Sequence, residues 1–311
     1  MKSITIPHSN RPIRSKLFVP GSRPELFSKA FLSAADALSF DLEDAVVSAK
    51  KAHARADVAA YLLERGRSDD KLVIVRVNNL ASEYFLDDVA ALANSGIDVI
   101  NLPKAESRDD ILDAVEAITK AEQAAGRTNP IGILANIETP KGLRLALEIA
   151  SAHPRVIGLQ LGFTDFSVAC GISSQNKTAL NNVRLGVRFA AAEAGIPSYD
   201  GAFTDVRNPD NFRLDAHEAR DLGFAGKSCI HPSQIAIANE VFAPTSAEIA
   251  RASSLLSAAE AANQNGIGAF LHEGKMVDIP IIRYAQGVID LATRLGLTQQ
   301  SGENKQHASH I

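Results

Sequence analysis

Short apolar segments rich in β-branched residues alternate with longer amphipathic segments along most of the chain. Eight of the short segments have the near-continuous apolar character of strands that are buried on both faces. They are residues 16–20, 36–42, 72–78, 97–103, 131–138, 156–163, 198–203 and 224–232. The segments between them have helical periodicity, as in 108–126 and 140–153. Strands that alternate with helices predict a parallel sheet that is covered on both faces.

The number of strands favours a closed barrel. Eight strand–helix units of about 250 residues form a (β/α)₈ barrel, and we predict one over residues 14–243. Residues 244–297 then form a C-terminal extension, and the polar termini, 1–13 and 297–311, are predicted to be loose. A doubly wound sheet is the alternative. It would carry a GxGxxG turn after its first strand, where this chain has VPGSRPE.

Composition narrows the classes of function. The 311 residues are 46% hydrophobic and 22% charged, with a net charge of −4. This balance argues against nucleic acid or an anionic membrane as a partner. No segment has the roughly 18 apolar residues of a membrane helix. Cys170 and Cys229 lack the spacing of a metal site, so we expect a reducing, cytoplasmic setting.

Polar residues follow almost every predicted strand. In chain order they are Pro20-Gly21-Ser22, Asp41/Glu43/Asp44, Arg76/Asn78, Lys104, Glu138, Asp165, Asp200/Asp205 and His231. Active sites of these barrels lie at the C-terminal ends of the strands, which predicts an active site built from such residues.

Glu138 and Asp165 are the candidate metal ligands. They are separated by about one strand–helix unit, so they should end neighbouring strands roughly 4.8 Å apart. Two carboxylates, completed by waters and substrate oxygens, are typical of a Mg²⁺ site rather than a Ca²⁺ or zinc site. The alternative makes Glu138 a helix-terminus charge and Asp165 a turn residue.

Arg76 ends a very apolar strand and therefore needs an anionic partner. One candidate is a substrate carboxylate bound by two of its nitrogens. The other is the group of three carboxylates in DLED, namely Asp41, Glu43 and Asp44. We expect these three to orient Arg76 and the metal-bound waters, although Glu43 and Asp44 could also be ordinary surface residues.

Three further features leave their roles open. The turn at Gly21-Ser22, with Lys29 nearby, could bind phosphate or simply begin a helix. His231 at the barrel mouth could contact a ligand or be structural. Residues 268–280 predict a hairpin that turns at Glu273-Gly274, after which Asp278 either caps a last helix or takes part in chemistry.

Several of these motifs together resemble a known family. The segments RSKLFVPGSRPE, ADALSFDLEDAV, VRVN, LPKAE, IETPKGL, LGFTDF, GFAGKSCIHPSQI and GKMVDIP occur in the order typical of the citrate lyase beta-subunit-like branch of the HpcH/HpaI aldolases. The resemblance covers about residues 14–295. It implies a (β/α)₈ barrel that forms trimers or hexamers and makes or cleaves carbon–carbon bonds in 3-hydroxyacyl thioesters.

The resemblance also implies roles for individual residues. Glu138 and Asp165 match Mg²⁺ ligands, and Arg76 matches the residue that binds the 2-oxo acid with the metal. The positions that match the CoA-facing residues are Phe18, Lys29, Ile230 and His231. Asp278 matches an acid/base aspartate that acts across a subunit interface.

The prediction is therefore a Mg²⁺-dependent lyase that acts on citramalyl-CoA or malyl-CoA and produces acetyl-CoA and a 2-oxo acid. Two alternatives stay open. The same site could hydrolyse the thioester, or the chain could work only as the beta subunit of a citrate lyase complex, on a citryl group carried by an acyl carrier protein.

Overall fold

The computed structural model of the protein describes residues 11–68 and 70–298. Eight parallel strands pair in chain order, and the eighth pairs with the first, so the sheet is a closed barrel. The strands are β1 (Ser15–Pro20), β2 (Ala37–Asp41), β3 (Leu72–Arg76), β4 (Val99–Leu102), β5 (Gly132–Ile137), β6 (Val156–Leu161), β7 (Ser198–Asp200) and β8 (Gly226–Cys229). Seven of them lie within the predicted strand segments, and β1 begins one residue before its segment, at Ser15. The prediction of a (β/α)₈ barrel is confirmed, and the doubly wound alternative is wrong.

Helices follow the strands around the barrel. They are α1 (Phe27–Phe31), α2 (Lys51–Arg65), α3 (Phe85–Leu92), α4 (Arg108–Ala124), α5 (Pro140–Arg144), α6 (Ala146–Ala150), α7 (Phe163–Cys170), α8 (Lys177–Glu193), α9 (Pro209–Asp221) and α10 (Ser233–Val241). The helix predicted over 140–153 is two short helices, because Leu145 leaves the helical region at φ −106° and ψ 16°.

The inside of the barrel differs from the layer between strands and helices. The outer layer is one large apolar core. A separate small cluster lies inside the barrel. It consists of Ile13, just before β1, and of residues at alternate strand positions, namely Ala37, Leu72, Ile74, Val99, Leu134 and Tyr199. The prediction of a loose N-terminal arm was wrong at Ile13, which is only 4% exposed, while residues 1–10 lie outside the described residues.

The chain divides into two compact units, the first ending at Phe242 and the second beginning at Ala243. The second unit contains α11 (Ser246–Gln264), an antiparallel hairpin of β9 (Phe270–His272) and β10 (Lys275–Val277), and α12 (Ile279–Arg294). Glu273 and Gly274 have φ of +48° and +75°, as a two-residue hairpin turn requires. The predicted hairpin is therefore confirmed. Most of the polar tail, from residue 299 onward, lies outside the described residues.

Nothing among the helices of the described ranges combines the length and the hydropathy that crossing a membrane would need.

The seam that closes the barrel depends on a glycine, which gives a first prediction. A Cβ on Gly226 would lie 1.8 Å from the carbonyl oxygen of Ile13, a backbone atom that cannot move aside cheaply. Gly226→Ala should therefore lower the free energy of unfolding by about 3 kcal/mol, the upper end of the usual cost of overpacking. Urea unfolding measures the change.

Gly268→Ala is the matched control, because a Cβ there meets no atom within 4 Å. Equal stability of the two variants would show that the seam tolerates the added methyl group.

Candidate active site

A cleft of about 360 Å³ opens at the C-terminal ends of the barrel strands. Residues from β1, β2, β3, β5, β6 and β8, and from loops that follow the strands, line it. The predicted site residues that line this cleft are Phe18, Asp41, Asp44, Arg76, Glu138, Asp165 and Ile230. The structure thus brings together side chains that lie up to about 210 positions apart in the sequence.

Arg76 is surrounded by the three carboxylates of DLED. Its Nε and Nη2 donate to the two oxygens of Asp41, at 2.8 and 2.7 Å. Its Nη1 donates to Asp44 at 3.1 Å and lies 2.9 Å from an oxygen of Glu43. Burial opposes the charged form, but the hydrogen bonds and charge of Asp41, with the charges of Glu43 and Asp44, raise the pKa of Arg76. Arg76 therefore stays charged at any physiological pH.

One guanidinium cannot neutralise three carboxylates, and the pKa of Glu43 reflects this imbalance. Its side chain is 9% exposed, and its Oε2 makes no hydrogen bond, although it is close to Arg76. Burial raises the pKa of Glu43 to about 8, with Asp44 and Glu138 adding to the increase and Arg76 opposing it. Glu43 is therefore largely protonated at pH 7, which reduces the repulsion within the group.

Glu138 is held at the cleft by local sequence features. It follows β5, and Thr139 begins α5 by accepting a hydrogen bond from the Gly142 amide, with Pro140 in the first turn. The Glu138 carboxylate accepts from the Lys104 backbone amide at 2.8 Å and from Asn136 Nδ2 at 3.3 Å. Burial raises its pKa.

Asp165 lies in the first turn of α7, at the rim of the same cleft. Its side chain is 40% exposed, and one oxygen lies 3.8 Å from Lys104 Nζ. Its charge raises the pKa of Glu138, so the two carboxylates are close enough to interact. Gly162 lies directly against Glu138, because a Cβ there would be 2.4 Å from Glu138 Oε2.

These residues fit a Mg²⁺ ion by their chemistry. Both candidate ligands are carboxylates, one buried and one near solvent, in a polar cleft that admits water and substrate oxygens. The described ranges contain no group of three His, Cys, Asp or Glu arranged around a common point. An all-protein Ca²⁺ or zinc site is therefore not indicated among them.

Lys104 is a site residue whose role the sequence did not reveal. It has a φ of +50°, which is uncommon for a residue with a side chain, and this turn aims its amide at Glu138 while its ammonium faces Asp165. The only sequence signal was a lysine at a predicted strand end.

A second, wider cleft of about 740 Å³ adjoins the first and shares Phe18, Pro20 and Ile230 with it. All four predicted CoA-facing residues line it: Phe18, Lys29, Ile230 and His231. Its walls are mainly apolar, with Arg23 and Lys29 adding positive charge. At the turn of Gly21-Ser22, which could bind phosphate or begin a helix, the Gly21 and Arg23 amides donate to the carbonyl oxygens of Asp41 and Pro20, so these two amides are already engaged.

Asp200 does not contribute to the cleft, although it ends a strand. It is fully buried and binds Arg184 at 2.9 Å and Lys227. Asp215 completes this ion cluster through the same two cations. Asp200 therefore stabilises the contact of β7 and β8 with α8 and α9.

Asp278 belongs to the second unit and is half-buried within the chain. It occupies the position before α12, yet its side chain makes no capping hydrogen bond, and only its backbone oxygen accepts from the helix. The structure therefore does not support the helix-cap alternative for its side chain.

Comparison with known proteins identifies relatives along nearly the whole chain. The family model described as HpcH/HpaI aldolase/citrate lyase matches residues 14–232. The citrate lyase subunit beta of Escherichia coli K12 is 39% identical over 292 residues, which cover 93% of this chain and 96% of that protein. An L-malyl-CoA/beta-methylmalyl-CoA lyase of Cereibacter sphaeroides (ATCC 17025) is 35% identical, covering 91% and 95%.

A crystal structure has the same fold and a related sequence. The protein CitE from Mycobacterium tuberculosis, in complex with magnesium, acetoacetate and coenzyme A, superposes with a TM-score of 0.75 at 30% identity. The match covers 92% of this chain and 99% of that one.

The raised pKa of Glu43 gives a prediction about stability. The pKa of a glutamate in an unfolded chain is about 4.3, and the pKa of Glu43 in the folded protein is about 8. Between these two pH values the Glu43 carboxyl group keeps a proton in the folded state that it has lost in the unfolded state. The Glu43 contribution to stability is therefore present at low pH and is lost as pH rises through this window. Relative to wild type, Glu43→Gln should gain up to about 1.4 kcal/mol of stability per pH unit between pH 5 and 8.

Urea unfolding at several pH values, in the presence of EDTA, measures this difference. Glu116→Gln serves as the control, because Glu116 is exposed on α4 and pairs only with Lys120 among the described residues. A stability difference that stays constant with pH would mean that Glu43 is ionised in the folded protein.

Proposed function

Because the chain belongs to the HpcH/HpaI aldolase/citrate lyase family, we propose that it is a Mg²⁺-dependent carbon–carbon lyase. Its substrate is a 3-hydroxyacyl-CoA thioester of the citramalyl-CoA or malyl-CoA type, and its products are acetyl-CoA and a 2-oxo acid. One observation carries the proposal: a small charged cleft with two carboxylates and Arg76 opens directly into a wider apolar cleft with basic residues.

Glu138 and Asp165 would hold the Mg²⁺ ion. When bound, the ion supplies a Lewis acid that favours loss of the substrate hydroxyl proton and orients the 2-oxo acid oxygens. Burial disfavours the charged form of Glu138, and a nearby cation would restore it. Asp41, Glu43 and Asp44 would orient Arg76 and the water molecules around the site.

Arg76 would bind the carboxylate of the 2-oxo acid. A guanidinium has five N–H donors, and hydrogen bonds to Asp41 and Asp44 engage three of them, while Nη1 also lies close to Glu43. The Asp44 side chain is 57% exposed, so its contact with Arg76 Nη1 is the easiest to give up. Substrate would therefore use the remaining Nη2–H and replace Asp44 at Nη1, which gives a two-point contact.

The wider cleft would bind the thioester and its nucleotide. Phe18 and Ile230 line both clefts, so they would contact the thioester carbon chain where the two meet. Lys29 and His231 are exposed at the wider cleft, where they could pair with phosphate oxygens.

Asp278 would act as the general acid in a neighbouring subunit of a homotrimer or hexamer. The second unit supports this by its exposed apolar side chains, which include Leu271, Met276, Ile279 and Tyr284. Such a surface needs a partner to cover it. Asp278 has no capping hydrogen bond that would hold its carboxyl group in the helix end.

The reaction balances as a retro-aldol cleavage. The substrate hydroxyl loses its proton to water and becomes the carbonyl of the 2-oxo acid as the adjacent C–C bond breaks. The electron pair of that bond passes to the acetyl-CoA enolate, and the Asp278 carboxyl group protonates the enolate carbon. In the condensing direction, the same carboxylate removes a proton from acetyl-CoA.

Two other functions share this site. The similarity to citrate lyase beta subunits favours a role within a citrate lyase complex, and activity of the isolated chain on a free CoA ester would argue against it. A thioesterase would release free CoA and a hydroxy acid. Incubating the purified protein and Mg²⁺ with a panel of hydroxyacyl-CoA esters, and identifying products by mass, distinguishes all three.

We also propose a cytoplasmic location for the protein. Both cysteines are free thiols, Cys170 exposed and Cys229 buried, which suits a reducing compartment.

The metal site gives a direct prediction. Glu138→Gln or Asp165→Asn removes one of the two carboxylate charges and should weaken Mg²⁺ binding by more than about 100-fold, beyond what loss of an outer partner costs. Lyase activity should be lost while the unfolding curve is retained. Calorimetric titration with Mg²⁺ and a lyase assay measure both.

Glu240→Gln is the control, since Glu240 is an exposed carboxylate that pairs with Arg213 away from the cleft. Full lyase activity of the wild-type protein in EDTA would contradict the metal requirement.

Sharing of the active site between subunits gives a second prediction. Asp278→Asn and Arg76→Ala should each abolish activity, because one lacks the general acid and the other lacks the oxo-acid contact. Mixed oligomers combine an intact Arg76 with an intact Asp278 in some sites, so mixing the two variants should restore part of the activity. No recovery after subunit exchange, verified by native mass spectrometry, would exclude sharing.

A further inference from the structure

A lysine is buried inside the barrel, beneath the candidate active site. Lys16 is the second residue of β1 and is 1% exposed. Its Nζ lies 3.3 Å from Asn101 Oδ1 and 4.3 Å from the centre of the Phe18 ring. A lysine is rarely buried to this extent unless its amine has a defined partner. The roles proposed above make no use of it.

Two buried amides connect Lys16 to Glu138. Asn101 on β4 accepts from Lys16, and its Nδ2 donates to Asn136 Oδ1 at 2.7 Å. Asn136 on β5 then donates from Nδ2 to Glu138 Oε2 at 3.3 Å. Asn101 and Asn136 are 0% and 3% exposed, so this relay runs entirely within the protein.

The partners at the start of the relay fix its direction. Asn101 Nδ2 also donates to the Leu134 carbonyl oxygen at 2.9 Å, which can only accept. With the Lys16 amine as donor on the other side, Asn101 has one orientation that satisfies both neighbours. Asn136 must then turn its oxygen to Asn101 and its Nδ2 to Glu138. The relay therefore ends with an N–H group directed at the carboxylate, which favours the charged form of Glu138.

We propose that Lys16 is a positioning residue of this lyase, which orients Glu138 for Mg²⁺ through the Asn101–Asn136 relay. The inference rests on the proposed function, because it assigns Lys16 a role toward the same metal ligand. Lys16 makes no hydrogen bond to Glu138, and it acts together with the Leu134 carbonyl by setting which atom of each amide faces the next residue.

The relay direction does not depend on the charge of Lys16. Burial and, to a smaller extent, the charge of Arg76 lower the pKa of Lys16 to about 7, while the charges of Asp41 and Glu138 oppose the decrease. These three are the charged side chains that act on it from β2, β3 and the end of β5. An amine keeps N–H donors whether or not it is protonated, so it can donate to Asn101 at any pH at which the enzyme works.

A matched pair of variants separates this role from simple filling of the barrel. Lys16→Gln keeps an N–H donor for Asn101, whereas Lys16→Met has a similar length and no donor. We expect Lys16→Met to weaken Mg²⁺ binding about tenfold, as loss of an outer-shell partner does. Lys16→Gln should stay within about twofold of wild type. Calorimetry with Mg²⁺ and electron paramagnetic resonance with Mn²⁺ measure binding without any assay of catalysis.

Reversing the relay is the sharper test. Asn101→Asp leaves side-chain volume nearly unchanged and replaces the donor toward Asn136 with an acceptor. Asn136 should then rotate its Nδ2 toward the new carboxylate and its oxygen toward Glu138, so Mg²⁺ binding should fall further than in Lys16→Met. Asn239→Asp is the control. Asn239 lies on α10, away from both clefts, and this substitution loses its hydrogen bond to the Ala34 carbonyl.

The outcomes separate this inference from the proposed function. Equal Mg²⁺ affinity in wild type, Lys16→Met and Asn101→Asp would overturn the relay while leaving the lyase intact. A wild-type protein that binds no Mg²⁺ would overturn the proposed function. In that case the relay can still be tested by the orientation of Asn136 in metal-free crystals of Asn101→Asp at atomic resolution. An Asn136 amide that keeps its wild-type orientation would contradict the relay.

Discussion

The ion group around Arg76 determines how the rest of the site is arranged. Asp41 and Arg76 stand opposite each other in the register of β2 and β3, so the pairing of these two strands itself brings the carboxylate to the guanidinium. The amide of Leu42 donates to the Arg76 carbonyl, which fixes the path of the chain into Glu43 and Asp44. Three carboxylates with one guanidinium leave excess negative charge in a partly buried place. Protonation of Glu43 removes part of it, and a divalent cation nearby would compensate more.

Much of this arrangement could be predicted from the sequence, and the exceptions have physical reasons. Strands of a parallel barrel are buried on both faces, so they are nearly continuous apolar segments, and all eight were found. Asp200 was wrongly assigned to the mouth because the direction of a side chain depends on strand register, which a short strand such as Ser198–Asp200 does not reveal. The helix break at Leu145 had no glycine or proline to mark it.

The residues that the sequence left without a role share one property. Lys104, Lys16, Asn101 and Asn136 all lie in or directly after apolar strands, where a single polar residue has no periodic pattern to identify it. Lys16 and Asn101 meet only because β1 and β4 face each other inside the barrel, a contact between residues 85 positions apart. Composition and local periodicity contain no information about such pairs. Residues that follow the strands were easier to assign to the site, because the C-terminal ends of all strands in a parallel barrel lie at one face.

The interior of the barrel also explains why a lysine can be kept so deep. Its lower part is apolar, with Leu72, Val99 and Leu134 among the residues that fill it. Its mouth is charged, and the amides of Asn101 and Asn136 link Lys16 to Glu138 there. Each amide accepts on one side and donates on the other without adding net charge. Lys16 can therefore determine the orientation of both amides, and through them of the Glu138 carboxylate, while its own amine stays buried. The residues that orient the metal ligand are thus separate from the residues proposed to contact substrate.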